Sequence, residues 1–191
     1  YLMERTLGGA CGTWWYSTVN VDGTPNGYGV YTLDGNKIVN GYYKASIWDK
    51  SFQIRMHRGT TQFVGTYETM SYSLYNPTLN FTDHTVIANI WGYTPLWKVE
   101  VYENGVKTGT MTRISAKTSD GWACGYHIGQ LGRGISGGTR DNYEAKHMHC
   151  FYYNPVDASA SIKVVVTDEW GNVYEQTKFT NDFSEAVSPV Y

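Results

Sequence analysis

The chain has 191 residues, a formal net charge of -2 and 17% charged residues. That length is enough to bury a real core as one large domain or two small ones. With no basic stripe, nucleic acid is excluded as the expected partner, and no acidic tail or like-charge run is present.

The aromatic content is the outlier, with 17 Tyr, 7 Trp and 6 Phe beside 21 Gly. Tyr and Trp suit half-buried sheet surfaces, and Gly suits the turns between short strands. Together they predict an all-β sandwich or barrel. No run of about 20 apolar residues exists, so no transmembrane segment is expected. The chain starts at Tyr1-Leu2-Met3-Glu4-Arg5 without a signal peptide, and reads as an internal fragment or a processed chain.

In chain order, the first clear element is a hairpin over 28–44, turning at Asp34-Gly35-Asn36. A strand follows at 51–57, where Phe52, Ile54 and Met56 alternate with Gln53, Arg55 and His57, predicting one apolar and one polar face. Asn76-Pro77 marks a loop and a boundary. Beyond it, Val86, Ala88 and Ile90 share a strand face, as do Trp97, Val99 and Val101. Asn104-Gly105 supplies a type I′ turn. Asp120 and its neighbours could start a short helix, and the Gly-rich run 129–138 reads as a long loop. Residues 146–153 read as one strand. Ile162, Val164 and Val166 form a further strand face, turned at Gly171-Asn172 into 173–177.

Candidate chemistry is sparse. His147 and His149, two apart on a strand, would share a side and could hold a transition metal, with His127 or Asp141 as a third ligand. The pattern is short, and solvent-facing polar residues are the preferred reading. Asp22-Gly23-Thr24-Pro25-Asn26-Gly27 lacks the ligand alternation of a calcium loop and reads as a rigid turn. No nucleophile elbow or phosphate loop is present. Cys11, Cys124 and Cys150 are too few for a disulfide framework; Cys124–Cys150 is conceivable, but buried small hydrophobes are preferred. Trp14, Trp15, Tyr42-Tyr43 and Trp48 could stack on sugar rings, and Trp91, Tyr93 and Trp97 could form a second platform, but core packing is the preferred reading of such rings.

Three sets of residues carry a resemblance. They are Gly9-Ala10-Cys11-Gly12-Thr13-Trp14-Trp15, Asp22-Gly23-Thr24-Pro25-Asn26-Gly27-Tyr28-Gly29-Val30, and Trp97-Lys98-Val99-Glu100-Val101-Tyr102-Glu103-Asn104-Gly105 with Thr167-Asp168-Glu169-Trp170-Gly171-Asn172-Val173-Tyr174. They resemble the C-terminal region of calcineurin-like metallophosphoesterases from Bacteroidetes-type bacteria. The resemblance implies a parent with an N-terminal β domain, a central phosphoesterase domain holding two divalent metal ions, and this C-terminal domain. The central domain's Asp-x-His, Gly-Asp-x-x-Asp and Gly-Asn-His-Asp/Glu motifs do not occur in this chain. His147-Met148-His149 mimics part of Gly-His-x-His, but follows Lys146 and comes late in chain order, so no catalytic residue carries over.

The resulting expectation is an all-β chain. Residues 79–191 would form an immunoglobulin-like sandwich, and hairpins in 1–78 would extend it or complete a sheet of the upstream domain. Functionally it would be a non-catalytic accessory domain of a cell-envelope phosphoesterase. It would need no cofactor itself, have the upstream catalytic domain as partner, and lie in the periplasm, at the outer membrane or outside the cell. The alternative is a carbohydrate-binding module using exposed Trp and Tyr.

Overall fold

The computed structural model describes residues 4–12, 17–114, 118–135, 143–144 and 149–186, with the backbone of 146–147. Short β-branched and aromatic runs separated by turn residues form the strands. The first five are β1 (Gly27–Asp34), β2 (Lys37–Ala45), β3 (Ile54–Arg58), β4 (Phe63–Val64) and β5 (Thr69–Met70). They are followed by β6 (Val86–Ile90), β7 (Lys98–Glu103), β8 (Val106–Thr110), β9 (Thr112–Arg113) and β10 (Thr118–Ser119). The last are β11 (Lys146–His147), β12 (Cys150–Tyr153), β13 (Ile162–Thr167) and β14 (Val173–Gln176).

Two four-stranded antiparallel sheets, ordered β3-β6-β12-β9 and β14-β13-β7-β8, pack face to face as a sandwich. The period of two sends alternate residues inward. Ile54, Met56, Val86, Ala88 and Ile90 from one sheet meet Val99, Val101, Ile162, Val164 and Val166 from the other in a single buried cluster. Gln176 Nε2 donates to Ile54 O at 3.0 Å, tying β14 of one sheet to β3 of the other. The tight turns carry the expected residues: Asn104 and Gly105 have φ of 50° and 81°, and Gly171 has φ of 86°.

The other face of the first sheet is buried as well, which the alternation in 51–57 did not predict. Arg55 and His57 are 1% and 0% exposed, so the face expected to be polar and wet is polar and dry. A helical layer covers it. Helix α1 (Tyr72–Tyr75) and a 3-10 turn (Pro77–Leu79) occupy the stretch expected as a loop. Helix α2 (Gly121–Cys124), capped by Asp120, continues directly into a π-helical segment, Gly125–Gln130. The expected loop from residue 129 therefore starts later. Phe63, Tyr72, Trp122 and Tyr126 pack here on Ile87 and Cys150.

One sheet spans the expected boundary at residue 78, because β3 pairs with β6 from Ile54↔Ile90 to Arg58↔Val86. The strand expected over 146–153 is broken: β11 pairs with β10, whereas β12 pairs with β6 and β9. Beyond the last strand, the segment 179–186 clasps the same edge. Thr180 N donates to Met56 O at 2.8 Å, and Trp122 Nε1 donates to Asp182 O at 2.8 Å.

Candidate functional site

The Asp22-Gly23-Thr24-Pro25 turn is as rigid as its residues suggest. Thr24 N donates to Asp22 Oδ1 at 2.9 Å, Asn20 N to Thr24 O at 2.8 Å and Gly23 N to Asn20 O at 3.0 Å. Gly23 has φ of 84°, a left-handed conformation that glycine reaches at little cost. The turn is laid against the first sheet, so that Asp22 meets Asn89 of β6 and His149, the residue before β12. His149 Nδ1 lies 2.6 Å from Asn89 Oδ1, and its Nε2 lies 3.3 Å from Asp22 Oδ2.

These contacts determine where the protons are. Asn89 Nδ2 donates to Asp22 O at 2.8 Å and to the Asp120 carboxylate. Both acceptors sit at one end of the amide, which orients it and leaves Oδ1 as an acceptor. His149 Nδ1 must therefore carry a hydrogen. Its Nε2 faces the Asp22 carboxylate on the other side. Behind it, Asp120 is fully buried and receives Tyr72 Oη, Asn89 Nδ2 and, at 2.7 Å, the N–H of Ala123. A dry carboxylate needs such partners. Burial, reinforced by Asp120, pushes the Tyr72 hydroxyl and the Cys150 thiol well above their usual pKa values.

Asp22 and His149 lie at one end of a cavity of about 260 Å³. Its walls are aromatic: Tyr31 and Tyr42 from the β1–β2 hairpin, Tyr43 behind them, Tyr93 and Trp97 from the β6–β7 connection, and Trp170 from the β13–β14 turn. The segment Glu4–Gly8 closes one side. Arg5 pairs with Glu169, and its guanidinium lies 4.7 Å from the Trp170 ring centroid. Trp97 Nε1 donates to the same Glu169 carboxylate. Burial, then the Asp22 charge, raises the pKa of Tyr43, whose hydroxyl donates to Pro25 O at 2.6 Å.

A family model described as the C terminal of calcineurin-like phosphoesterase matches residues 4–174. The chain belongs to this family. Comparison with curated proteins and with solved structures found no match. The match includes the Asp22 turn, Asn89, His149 and every wall of the cavity. It stops short of the 179–186 clasp, which is nonetheless part of this calcineurin-like phosphoesterase C-terminal domain's packed structure.

The family raises the question of metal. A two-metal centre needs several carboxylate and imidazole ligands converging on one point. Among the described residues no group of three or more His, Cys, Asp or Glu converges in this way. The donor set at the cavity, one imidazole already bonded through Nδ1 with the carboxylates of Asp22 and Glu4, is too small for such a centre.

Of the candidate ligand residues singled out in the sequence, Tyr42, Tyr43, Tyr93, Trp97 and His149 line the cavity. Trp91 does not: it is 0% exposed, packed edge-on against Phe52, and donates from Nε1 to Phe52 O at 2.9 Å, so it has no free face for a ligand. Trp48 is half-buried, lies with Phe52 at a ring separation of 4.8 Å, and is not among the residues lining the cavity. Trp14, Trp15 and Asp141 lie outside the described residues, as does the side chain of His147. His127 is a core residue whose Nε2 donates to Val19 O at 3.1 Å. Cys124 and Cys150 are both buried thiols. Sequence reasoning missed Arg5, Tyr31 and Trp170 as wall residues, because they come together only through pairing across more than a hundred positions.

Proposed function

We propose that this domain is a non-catalytic accessory module of a cell-envelope calcineurin-like phosphoesterase. Its partner is the catalytic domain upstream in the same polypeptide, which carries the two divalent metal ions. The domain braces that partner and shapes access to its site.

The observation that supports bracing is the way residues 4–8 are strapped to the sandwich. Arg5 is held by Glu169 and the Trp170 ring, Leu7 packs on the Tyr43–Ala45–Trp91 cluster, and a Cβ on Gly8 would lie 2.8–2.9 Å from Asn20, Thr24 and Tyr43. A chain entering through a strap this tight has little slack. The orientation of whatever precedes it is therefore coupled to the sandwich.

The test uses the longer polypeptide, with and without this domain, and with Arg5→Ala. Deletion should lower the melting temperature of the catalytic domain or change its preference among phosphoester substrates, and Arg5→Ala should do part of the same. Unchanged stability and unchanged preference after deletion would sink the bracing idea.

A further inference from the structure

We propose that the aromatic cavity between the β1–β2 hairpin, Glu4–Gly8 and Trp170 binds a single neutral sugar ring, such as the terminal unit of a glycan. The cavity volume of about 260 Å³ falls just below the roughly 300–1,000 Å³ of drug-sized sites, which suits one ring. The inference does not depend on the accessory role proposed above.

Charge decides against the two competing ligand classes. A phosphate group needs several uncommitted cationic donors. The lining instead carries the carboxylates of Glu4 and Asp22, and its single arginine, Arg5, is already matched by Glu169. His149, the other group able to carry positive charge, faces Asp22. A quaternary ammonium needs open aromatic faces. Here the protein's own guanidinium lies 4.7 Å from the Trp170 centroid and 6.0 Å from that of Tyr31, and would repel a second cation.

What remains is a neutral ligand with an apolar face and hydroxyls that both donate and accept. A sugar ring has both. Tyr31, Tyr42 and Tyr93 are each half-buried and line the cavity, so their rings are held by packing yet reachable. Asp22 and Glu4 offer acceptors. The Asp22–His149–Asn89 chain holds the polar end in place before a ligand arrives, which reduces the ordering cost of binding.

The experiment is a glycan array carrying neutral, sialylated and phosphorylated glycans, probed with the fluorescently labelled chain. It is followed by calorimetric titration with the methyl glycoside of the terminal sugar common to the strongest spots. Binding to neutral glycans is expected, with affinity reduced roughly tenfold or more in Tyr31→Ala and in Tyr42→Ala. Circular dichroism verifies that each variant is folded. If Tyr42→Ala does not fold, Tyr31→Ala alone carries the test, and Trp48→Ala, outside the cavity, should bind as the wild type does. No spot above background, binding confined to sialylated or phosphorylated glycans, or wild-type affinity in a folded Tyr31→Ala chain would each overturn the proposal.

Discussion

Arg55 Nε lies 3.0 Å from Glu185 Oε2, in an ion pair whose side chains are 0% and 7% exposed. It joins the middle of β3 to the C-terminal clasp. The Arg55 guanidinium also lies 3.7 Å from the Trp122 ring centroid and donates from Nη1 to Gly23 O at 2.6 Å. One buried cation thus links the first sheet, the helical layer, the Asp22 turn and the clasp.

Removing its counter-charge should be costly. Glu185→Ala leaves Arg55 buried without its carboxylate, and Arg55 Nη2 already has no hydrogen-bond partner among the described residues. Losing one member of a buried pair typically costs about 3–5 kcal/mol. Urea unfolding of Glu185→Ala should show a loss of that order. A loss below about 1 kcal/mol would mean that the pair is no more than a surface-type contact.

Two buried histidines predict acid sensitivity. Burial lowers His57 and His127 from 6.5 to about 4. His57 Nδ1 donates to Thr180 O at 2.9 Å and its Nε2 is dry, so the folded state holds the neutral ring. The unfolded chain binds protons below pH 6.5 and the folded one only near 4. The stability of the neutral rings is therefore full above about 6.5 and is lost as pH falls toward 4, by roughly 3 kcal/mol per histidine at most. Melting temperature measured from pH 7.5 to 4 should fall across that window, and less steeply in His57→Gln if that variant folds. A flat profile would contradict the burial of both rings.

Two glycines separate backbone strain from crowding. Gly23 and Gly105 have φ of 84° and 81°. A Cβ on Gly105 meets nothing within 4 Å, whereas one on Gly23 would lie 2.6 Å from Asn89 Nδ2 and 2.7 Å from Asp120 Oδ2. Gly105→Ala should cost only the conformational penalty, about 1–2 kcal/mol. Gly23→Ala should cost clearly more, because it wedges into a buried polar network that cannot yield cheaply. Equal melting temperatures for the two variants would argue against that network.

The sandwich was largely legible in the sequence. Val86, Ala88 and Ile90 with Ile162, Val164 and Val166 are period-two patterns facing one core, and Asn104-Gly105 turned as its residues require. The helical layer was legible only where Asp120 opens a short helix; helix α1 and the burial of the sheet face beneath the layer were not. Its helices are four residues long, and the signal they leave on β3, a polar Arg55 and His57, is the same alternation that a wet face produces. Asp22 was legible as a turn residue but not as a site residue, because its partner His149 is 127 positions away. Trp91 shows the limit in the other direction: an aromatic beside a turn can be read as a platform or, as preferred, as core, and here Phe52 and Tyr43 enclose it.

The most direct measurement is of phosphoester hydrolysis by the purified 191-residue chain, supplied with manganese, zinc or iron and with aryl phosphomonoesters and phosphodiesters. A non-catalytic domain should show no turnover above the metal and buffer blank in any combination. Turnover that co-purifies with the folded chain and disappears in His149→Ala would contradict it, and would place hydrolytic chemistry at the Asp22–His149 end of the cavity.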